Sequence, residues 1–315
     1  MKLEKSLSSA RIDHRSAKAL RRWARNAKYD AGFSGVAEGF TIIEVLVIVG
    51  VLAFSACLLA PALARTKTNG LAIHCLNNTR QLIRAWQMYT EDNHGKIAVN
   101  YHGGDAMNGN YPAALGPGWA AGWLDWTISP DNTNVAFVAD ARYATLAPYV
   151  HRDPTVFKCP ADKYLSEVQK VRGWTQRVRS YSASIGIGAG NAQAGPWDYI
   201  YRQTTNTDSL LFPGPAETFV FLDEHPDSMN DPGFFSPQSA QWIEAPATFH
   251  DGAAAVAFAD GHLELHKWTG SLASGRATQV YAIDGQYLSG VPPAPGDPDM
   301  HWVSYHTSRV STNSY

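Results

Sequence analysis

An apolar run of about 24 residues, from Phe40 to Leu63, constrains this chain more than any other feature. As a helix with a rise of 1.5 Å per residue, the run would be roughly 36 Å long, which is enough to span a bilayer. It contains one acid, Glu44, where a charge costs about 2.5–3.5 kcal/mol on membrane-insertion scales. It begins at a small residue followed by a large apolar one, Gly39-Phe40, as a cleavage junction would. The run therefore predicts a membrane-spanning helix with a processed N-terminus.

The pattern of Gly39, Phe40, Thr41 and Glu44 followed by an apolar run resembles the class III signal of type IV pilins and type II secretion pseudopilins. Pro61 falls where members of that family carry a proline that loosens the helix. The resemblance implies that a prepilin peptidase cuts after Gly39 and that the new N-terminal amine of Phe40 is methylated. Gly39, Phe40 and Glu44 are then the processing residues.

Three other interpretations of the apolar run remain open. A secretory signal peptide could be cut at the Ala-Leu-Ala site of residues 62–64. Residues 54–57, Phe-Ser-Ala-Cys, form a poor lipoprotein cleavage box, and the run could also be a plain single-span anchor. The signal peptide and the lipoprotein box explain neither Glu44 nor the Gly39-Phe40 junction, so the pilin-like signal is favoured.

Charge is distributed unevenly along the chain, which holds 26 Lys and Arg and 28 Asp and Glu. Residues 1–39 carry nine basic and four acidic side chains, whereas the remainder carries 17 and 24. A basic flank before an apolar span predicts a cytoplasmic N-terminus. We therefore expect a single-pass protein of the inner membrane with a periplasmic head, or a subunit of an extracellular filament. The acidic bulk argues against nucleic acid as a partner.

Helical periodicity continues beyond the apolar run. Side chains at three- and four-residue steps predict one amphipathic face, formed by Leu71, Cys75, Asn78, Leu82, Trp86 and Tyr89. The predicted fold class is α+β, a pilin-like lollipop whose long N-terminal helix has a transmembrane first half and packs on a β-rich globular head. The predicted domains are a basic cytoplasmic leader (1–39), the long helix (40–93, transmembrane over 40–63) and the head (94–315).

Three segments of the head have the alternation of β-strands. These are residues 177–187, 218–223 and 254–268. In the last, Asp260-Gly261 is predicted to form a two-residue hairpin loop. In that register Phe258 faces Leu263 and Val256 faces Leu265.

His250, nine intervening residues and then Asp260-Gly261 resemble the H-x9-D-G signature near the C-terminus of a group of large pilin-like proteins. The segment that begins Cys75-Leu76-Asn77-Asn78 also looks like the second half of the helix in large pseudopilins. The resemblance implies no biochemical role for the signature. The turn alone explains Asp260 and Gly261, and His250 is expected to hydrogen-bond the hairpin.

An acidic stretch offers a weak candidate for calcium. Calcium binds six to eight oxygen ligands, and flexible acidic loops supply them. Resemblance to the major pseudopilins, which hold calcium in the head, adds to this hypothesis, with a solvated acidic loop as the plainer interpretation. The candidate ligands are Asp223, Asp227, Asn230 and Asp231.

The chain has three cysteines, of which Cys57 lies within the apolar run. Cys75 and Cys159 are therefore the only possible pair on the oxidising side of the membrane. We expect a disulfide between them, with two unpaired thiols as the alternative.

The predicted function is that of a structural subunit of a type II secretion or type IV pilus-like filament. Its partners would be the prepilin peptidase and N-methyltransferase, other pilin-like subunits and an inner-membrane assembly platform. The sequence holds no Ser-His-Asp elbow, P-loop or zinc-protease helix motif, so no enzymatic activity is expected. The alternative is a membrane-tethered periplasmic enzyme or carbohydrate-binding protein. Its site would use His250, Asp223 and a tryptophan cluster, whose members more often serve core packing: Trp119, Trp123 and Trp126.

Overall fold

The computed structural model describes residues 41–190, 200–238, 242–274 and 296–309, and for residues 58–69 it describes the helical backbone without side chains. The predicted leader and the Gly39-Phe40 junction lie outside the described residues. The chain divides into two compact units, Met1–Leu58 and Leu59–Tyr315.

Helix α1 spans Ile42–Asp92 and is 51 residues long. In the first unit its apolar side chains are exposed on every side, with Ile42 80% and Phe54 68% accessible. In the second unit three residues of the predicted amphipathic face, Cys75, Leu82 and Trp86, are buried, which confirms this part of the prediction.

The membrane-related predictions are not confirmed. Among the residues described, no helix combines the length and the apolar character needed to cross a membrane. A bilayer core of about 30 Å requires about 20 consecutive apolar helical residues. The pilin-like lollipop with a transmembrane segment over 40–63 is therefore wrong as a fold class, and so is the single-pass inner-membrane localisation. The observed fold is α+β with a mixed five-stranded sheet.

Within the described residues, the remaining helices and strands lie in the second unit. Three short α-helices follow α1: α2 (Ala136–Ala139), α3 (Glu167–Val171) and α4 (Pro298–Tyr305). The strands are β1 (Tyr181–Ser184), β2 (Phe219–Asp223), β3 (Gly233–Phe234), β4 (Ala253–Phe258) and β5 (Leu263–Lys267). Single 3₁₀ turns cover Gly103–Asp105, Met107–Gly109, Pro130–Asn132, Ala147–Val150, Pro154–Phe157, Thr207–Ser209 and Ser271–Ser274.

The strand order in the sheet is β3-β1-β2-β4-β5, and only the β1–β3 pair is parallel. A register shift in β2 places Val220 and Phe221 on the same side of the sheet. Such a bulge lets two adjacent residues face one core. Phe219 and Leu222 belong to the core on the opposite side.

Two hydrophobic cores cover the two faces of the sheet. The first includes side chains of α1, namely Cys75, Leu82, Ile83, Ala85 and Trp86. The second includes Met300 and Val303 of α4 together with Trp268. The central strands β1, β2 and β4 are buried throughout, which explains why their sequences are apolar or small and do not alternate cleanly.

The β4–β5 hairpin forms where the sequence predicts it, but its loop is longer by one residue. The amide of Phe258 donates to the carbonyl of His262, and the amide of Gly261 donates to the carbonyl of Phe258. The loop therefore has three residues, with Gly261 in the left-handed region at φ 96°, a standard three-residue hairpin with glycine at that position.

The longer loop moves the register by one residue. Leu263 pairs with Ala257 and Leu265 with Ala255, so the predicted pairs with Phe258 and Val256 are wrong. A shift of one residue exchanges the two faces of a strand. Glu264 and His266 of β5 therefore lie on the side of Phe258, whose ring stacks on the His262 imidazole with centroids 4.1 Å apart.

Candidate functional site

The N-terminal end of α1 carries the one predicted processing residue that is described, Glu44. The amide and hydroxyl of Thr41 donate to Glu44 Oε2 at 2.8 and 2.9 Å, and the Glu44 amide donates to Thr41 Oγ1 at 3.3 Å. This is a capping box, in which two residues satisfy each other's free amides at a helix start. The hydrogen bonds from Thr41 lower the pKa of Glu44. The Thr-x-x-Glu pattern of Thr41 and Glu44 is also the sequence signature of a capping box, so the sequence alone could have predicted this helix start.

A second site lies in the unit Leu59–Tyr315, where four ligand-type side chains from separate parts of the chain meet. Their sulfur, oxygen and nitrogen atoms all lie within 4.8 Å of one another, and all four residues are buried. Among the described residues this is the only such group of three or more His, Cys, Asp or Glu side chains. The four are Cys75, Cys159, Asp223 and His250.

Each of the four residues is held by a different element. Cys75 lies on the buried face of α1, and Asp223 is the last residue of β2. Cys159 follows the 3₁₀ turn Pro154–Phe157. His250 lies in the turn before β4, where its amide donates to the carbonyl of Ala253 at 3.2 Å. The sheet and α1 together therefore fix the four side chains.

Short contacts connect the four polar ends. The Cys75 thiol lies 3.2 Å from both carboxylate oxygens of Asp223. His250 Nε2 lies 3.3 Å from Asp223 Oδ2 and 3.4 Å from Cys159 Sγ. The Tyr181 hydroxyl is 3.1 Å from Cys75 Sγ, and the Ala255 amide donates to Asp223 Oδ2 at 3.1 Å.

The surroundings shift the pKa values of three of these groups. Burial raises the pKa of the Cys75 thiol, and the Asp223 carboxylate raises it further. Burial also acts to raise the pKa of Cys159, but hydrogen bonds to Cys75 and His250 outweigh it, so this pKa is lowered. Burial acts to lower the pKa of His250, yet the bonds to Asp223 and Cys159 raise it to about 10.

The predicted disulfide is not formed, since Cys75 and Cys159 are both free. The two sulfur atoms nevertheless lie within 4.8 Å of each other. A disulfide requires about 2.05 Å between sulfurs. Each thiol instead contacts a further partner, Asp223 for Cys75 and His250 for Cys159.

The four predicted calcium ligands do not converge. Asp223 joins the cysteine and histidine group, while Asp231 Oδ2 lies 2.7 Å from His102 Nδ1 and accepts from the Gly103 amide. Asp227 lies 3.8 Å from the ring of His225. The side chain of Asn230 accepts from the Asp231 amide. Each oxygen ligand therefore has its own local environment.

The three residues of the H-x9-D-G signature separate into two places. The His250 amide donates to the carbonyl of Ala253 at the start of hairpin strand β4, while its side chain reaches Asp223 and Cys159. Asp260 accepts instead from the amide of His262 at 3.0 Å. Gly261 is favoured by its positive φ, and a Cβ there would lie 2.7 Å from the end of the flexible Gln87 side chain of α1.

The tryptophan cluster does not form an exposed platform for sugars. Trp119 is 1% exposed, and its ring stacks on Phe157 and meets Phe221 edge-on. Its indole N–H donates to Asn100 at 3.0 Å. The ring of Trp126 is covered by the guanidinium of Arg177 at 4.2 Å. Core and loop packing therefore accounts for Trp119 and Trp126.

Comparison with models of protein families finds no family that matches this chain. Comparisons with curated proteins and with solved structures find no match either.

Proposed function

We propose that this chain is a pilin-like structural subunit that is cut between Gly39 and Phe40 and assembles with further subunits through the N-terminal part of α1. The observation that carries the proposal is the exposure of apolar side chains in residues 42–57. Ile42, Ile43 and Phe54 are 80%, 74% and 68% exposed. A continuous apolar surface of this kind marks an interaction site.

The proposed occupant of this surface is the same helix of another subunit. Cleavage after Gly39 would create a positive amine on Phe40, directly before the capping box that holds the Glu44 carboxylate. Opposite charges at one end of each helix favour pairing between neighbouring subunits. Such a pair would set the register between subunits while the apolar side chains supply the buried area.

A structural role accords better with the buried cluster than an enzymatic one does. The Asp223 and His250 side chains are 0% and 1% exposed, and their polar ends face each other and two cysteines. A catalytic pair must lie within reach of a substrate. The alternative of a periplasmic enzyme is supported by the 3.3 Å contact between His250 and Asp223, but the burial of this pair favours a structural role.

The test is the mass of the mature chain made together with a prepilin peptidase. We expect the N-terminus at Phe40, carrying one added methyl group. Gly39→Val should leave the uncut precursor, because a side chain at that position obstructs the peptidase. Gly32→Val is the matched control, since Gly32-Phe33 is a second Gly-Phe pair that lacks the following Thr-x-x-Glu. A mature N-terminus elsewhere, or normal cutting of Gly39→Val, would refute the proposal.

A further inference from the structure

The spacing within the buried cluster matches the edges of a coordination tetrahedron. Zinc binds sulfur at about 2.3 Å and nitrogen or oxygen at about 2.0–2.2 Å, so tetrahedral geometry separates the ligand atoms by roughly 3.3–3.8 Å. Three contacts in the cluster measure 3.2 Å for Cys75 to Asp223, 3.3 Å for His250 to Asp223 and 3.4 Å for His250 to Cys159. All remaining separations are within 4.8 Å. Where a separation exceeds the tetrahedral edge, a change of up to about 1 Å would bring the atoms to a common ion.

The donor set selects the kind of metal. Calcium and magnesium bind oxygen ligands almost entirely, so two thiols and an imidazole exclude them here. Cysteine, histidine and aspartate are the ligands of zinc, which favours four of them in a tetrahedron. The cluster supplies two sulfurs, one nitrogen and one carboxylate.

Hydrogen bonding alone satisfies this cluster poorly. Asp223 is fully buried, and three of its contacts come from a thiol, an imidazole and the Ala255 amide. A thiol is a weak donor, whereas a buried carboxylate needs strong partners. His250 Nε2 carries one proton at most, yet it lies within reach of both Asp223 and Cys159. A cation between the four groups would satisfy them together.

We propose that the cluster is a structural zinc site whose ligands are Cys75 Sγ, Cys159 Sγ, one carboxylate oxygen of Asp223 and Nε2 of His250. On binding, the thiols and the His250 imidazolium release their protons to solvent, so that zinc is held by two thiolates and a neutral imidazole. Two thiolates, one carboxylate and the dication leave a net charge of about −1. Four protein ligands complete the coordination of zinc, which is typical of structural sites, whereas catalytic sites keep one position open.

The site gives His250 of the H-x9-D-G pattern and Cys75 of α1 a shared role. The ion would connect α1, the segment after Pro154–Phe157, the end of β2 and the turn before β4. The proposal does not depend on the proposed function, since processing and assembly involve a different part of α1.

The first experiment measures metal in the full-length chain, purified under reducing conditions without a polyhistidine tag. Elemental analysis should find about one zinc per chain. Replacement by Co²⁺ should give the strong visible bands of a tetrahedral site and a near-ultraviolet band from thiolate to cobalt. Absence of the thiolate band in the folded wild-type protein would overturn the proposal, whatever the variants do.

The second experiment compares ligand variants with matched controls. Cys159→Ser, Asp223→Asn and His250→Gln should each reduce the zinc content at least about tenfold. Three exposed residues of the same types serve as controls and should leave it unchanged: Cys57→Ser, Asp251→Asn and His262→Gln. Equal zinc in the ligand variants and the controls would contradict the proposal.

A disulfide is the competing outcome, and mass spectrometry of the alkylated, unreduced chain distinguishes it. Metal-bound thiols should be alkylated at Cys75 and Cys159 once the chain is unfolded with a chelator. A Cys75–Cys159 cross-link in protein supplied with zinc throughout purification would refute the zinc site. If a ligand variant fails to fold, the cobalt spectrum of the wild type still decides the matter.

Discussion

Glu244 is a buried acid that makes the stability of this fold depend on pH. Its side chain is buried, and its Oε2 accepts from the amide of Phe235 at 2.6 Å. Burial raises the pKa of Glu244 well above its usual range, and the nearby Glu224 and Asp231 raise it further. Arg179 opposes this shift but does not cancel it. Glu244 therefore keeps its proton in the folded chain at pH values where it is ionised in the unfolded chain.

This shift has a definite sign. Because the pKa of Glu244 is higher in the folded chain, its contribution to stability is complete below the unfolded pKa of about 4.3 and is lost as the pH rises through the folded pKa. Glu244→Gln, which needs no proton, should raise the free energy of unfolding at about pH 8 by on the order of 1 kcal/mol, with little change at about pH 4. Urea unfolding at the two pH values measures the difference.

The control for this prediction is Glu167→Gln. Glu167 is 72% exposed in its side chain and pairs with Lys170 on the surface of α3. An exposed pair of this kind contributes about 0–1 kcal/mol. A loss of stability in Glu244→Gln that is the same at both pH values would contradict the prediction, since it would mean that the amide packs or bonds poorly.

At the scale of an element, the start of α1 combines two explanations for Glu44. The capping box explains a glutamate there by local hydrogen bonds alone. The proposed function adds a charge that pairs with the Phe40 amine of a neighbouring subunit. The two explanations predict different behaviour for Gln, which retains the acceptor oxygen of the capping box but has no charge.

We therefore expect Glu44→Gln to be cut normally at Gly39 but to enter assemblies at least about tenfold less than wild type, because it leaves the Phe40 amine of the neighbouring subunit without its partner charge. Glu44→Leu should also fail to assemble. Thr41→Val is the control, since it weakens the helix start by about 1 kcal/mol but keeps the charge, and it should assemble. The measurement is the fraction of cut subunit found in sedimented filaments. Normal assembly of Glu44→Gln would mean that the carboxylate serves only the helix start.

Patterns within short segments of the sequence predict some helices and strands, but they do not predict the register in which the strands pair. Hydrophobic spacing identified the buried face of α1 around Leu82 and Trp86, and β-rich composition identified β2. The hairpin was identified from Asp260-Gly261, but the register depended on whether Gly261 closes a two- or a three-residue loop. Both loops use the same dipeptide, so the dipeptide alone does not decide between them, and the folded chain pairs Phe258 with His262.

At the scale of the whole molecule, the buried cluster could be predicted only in part. The sequence pairs Cys75 with Cys159 by elimination and places His250 with Asp223 only in the alternative of an enzyme, but nothing in it joins the two pairs. The contacts that unite them join residues 148 positions apart for Cys75 and Asp223 and 91 apart for Cys159 and His250. The periodicity of a short segment does not predict contacts between residues so far apart in the sequence. Such contacts follow from the order of strands in the sheet and the packing of α1 on it.

If zinc connects these distant segments, its removal should weaken them together. Zinc binds the folded chain, so it stabilises by mass action, by about 4 kcal/mol when the free metal exceeds Kd a thousandfold. We expect a chelator to lower the Tm of the wild type. It should also accelerate amide hydrogen exchange at once in α1 around Cys75, at the end of β2 and in the turn before β4. Asp223→Asn, which has lost a ligand, should show neither effect of the chelator. A wild-type Tm that does not respond, or an equal response in Asp223→Asn, would mean that the four side chains are held by packing and hydrogen bonds alone.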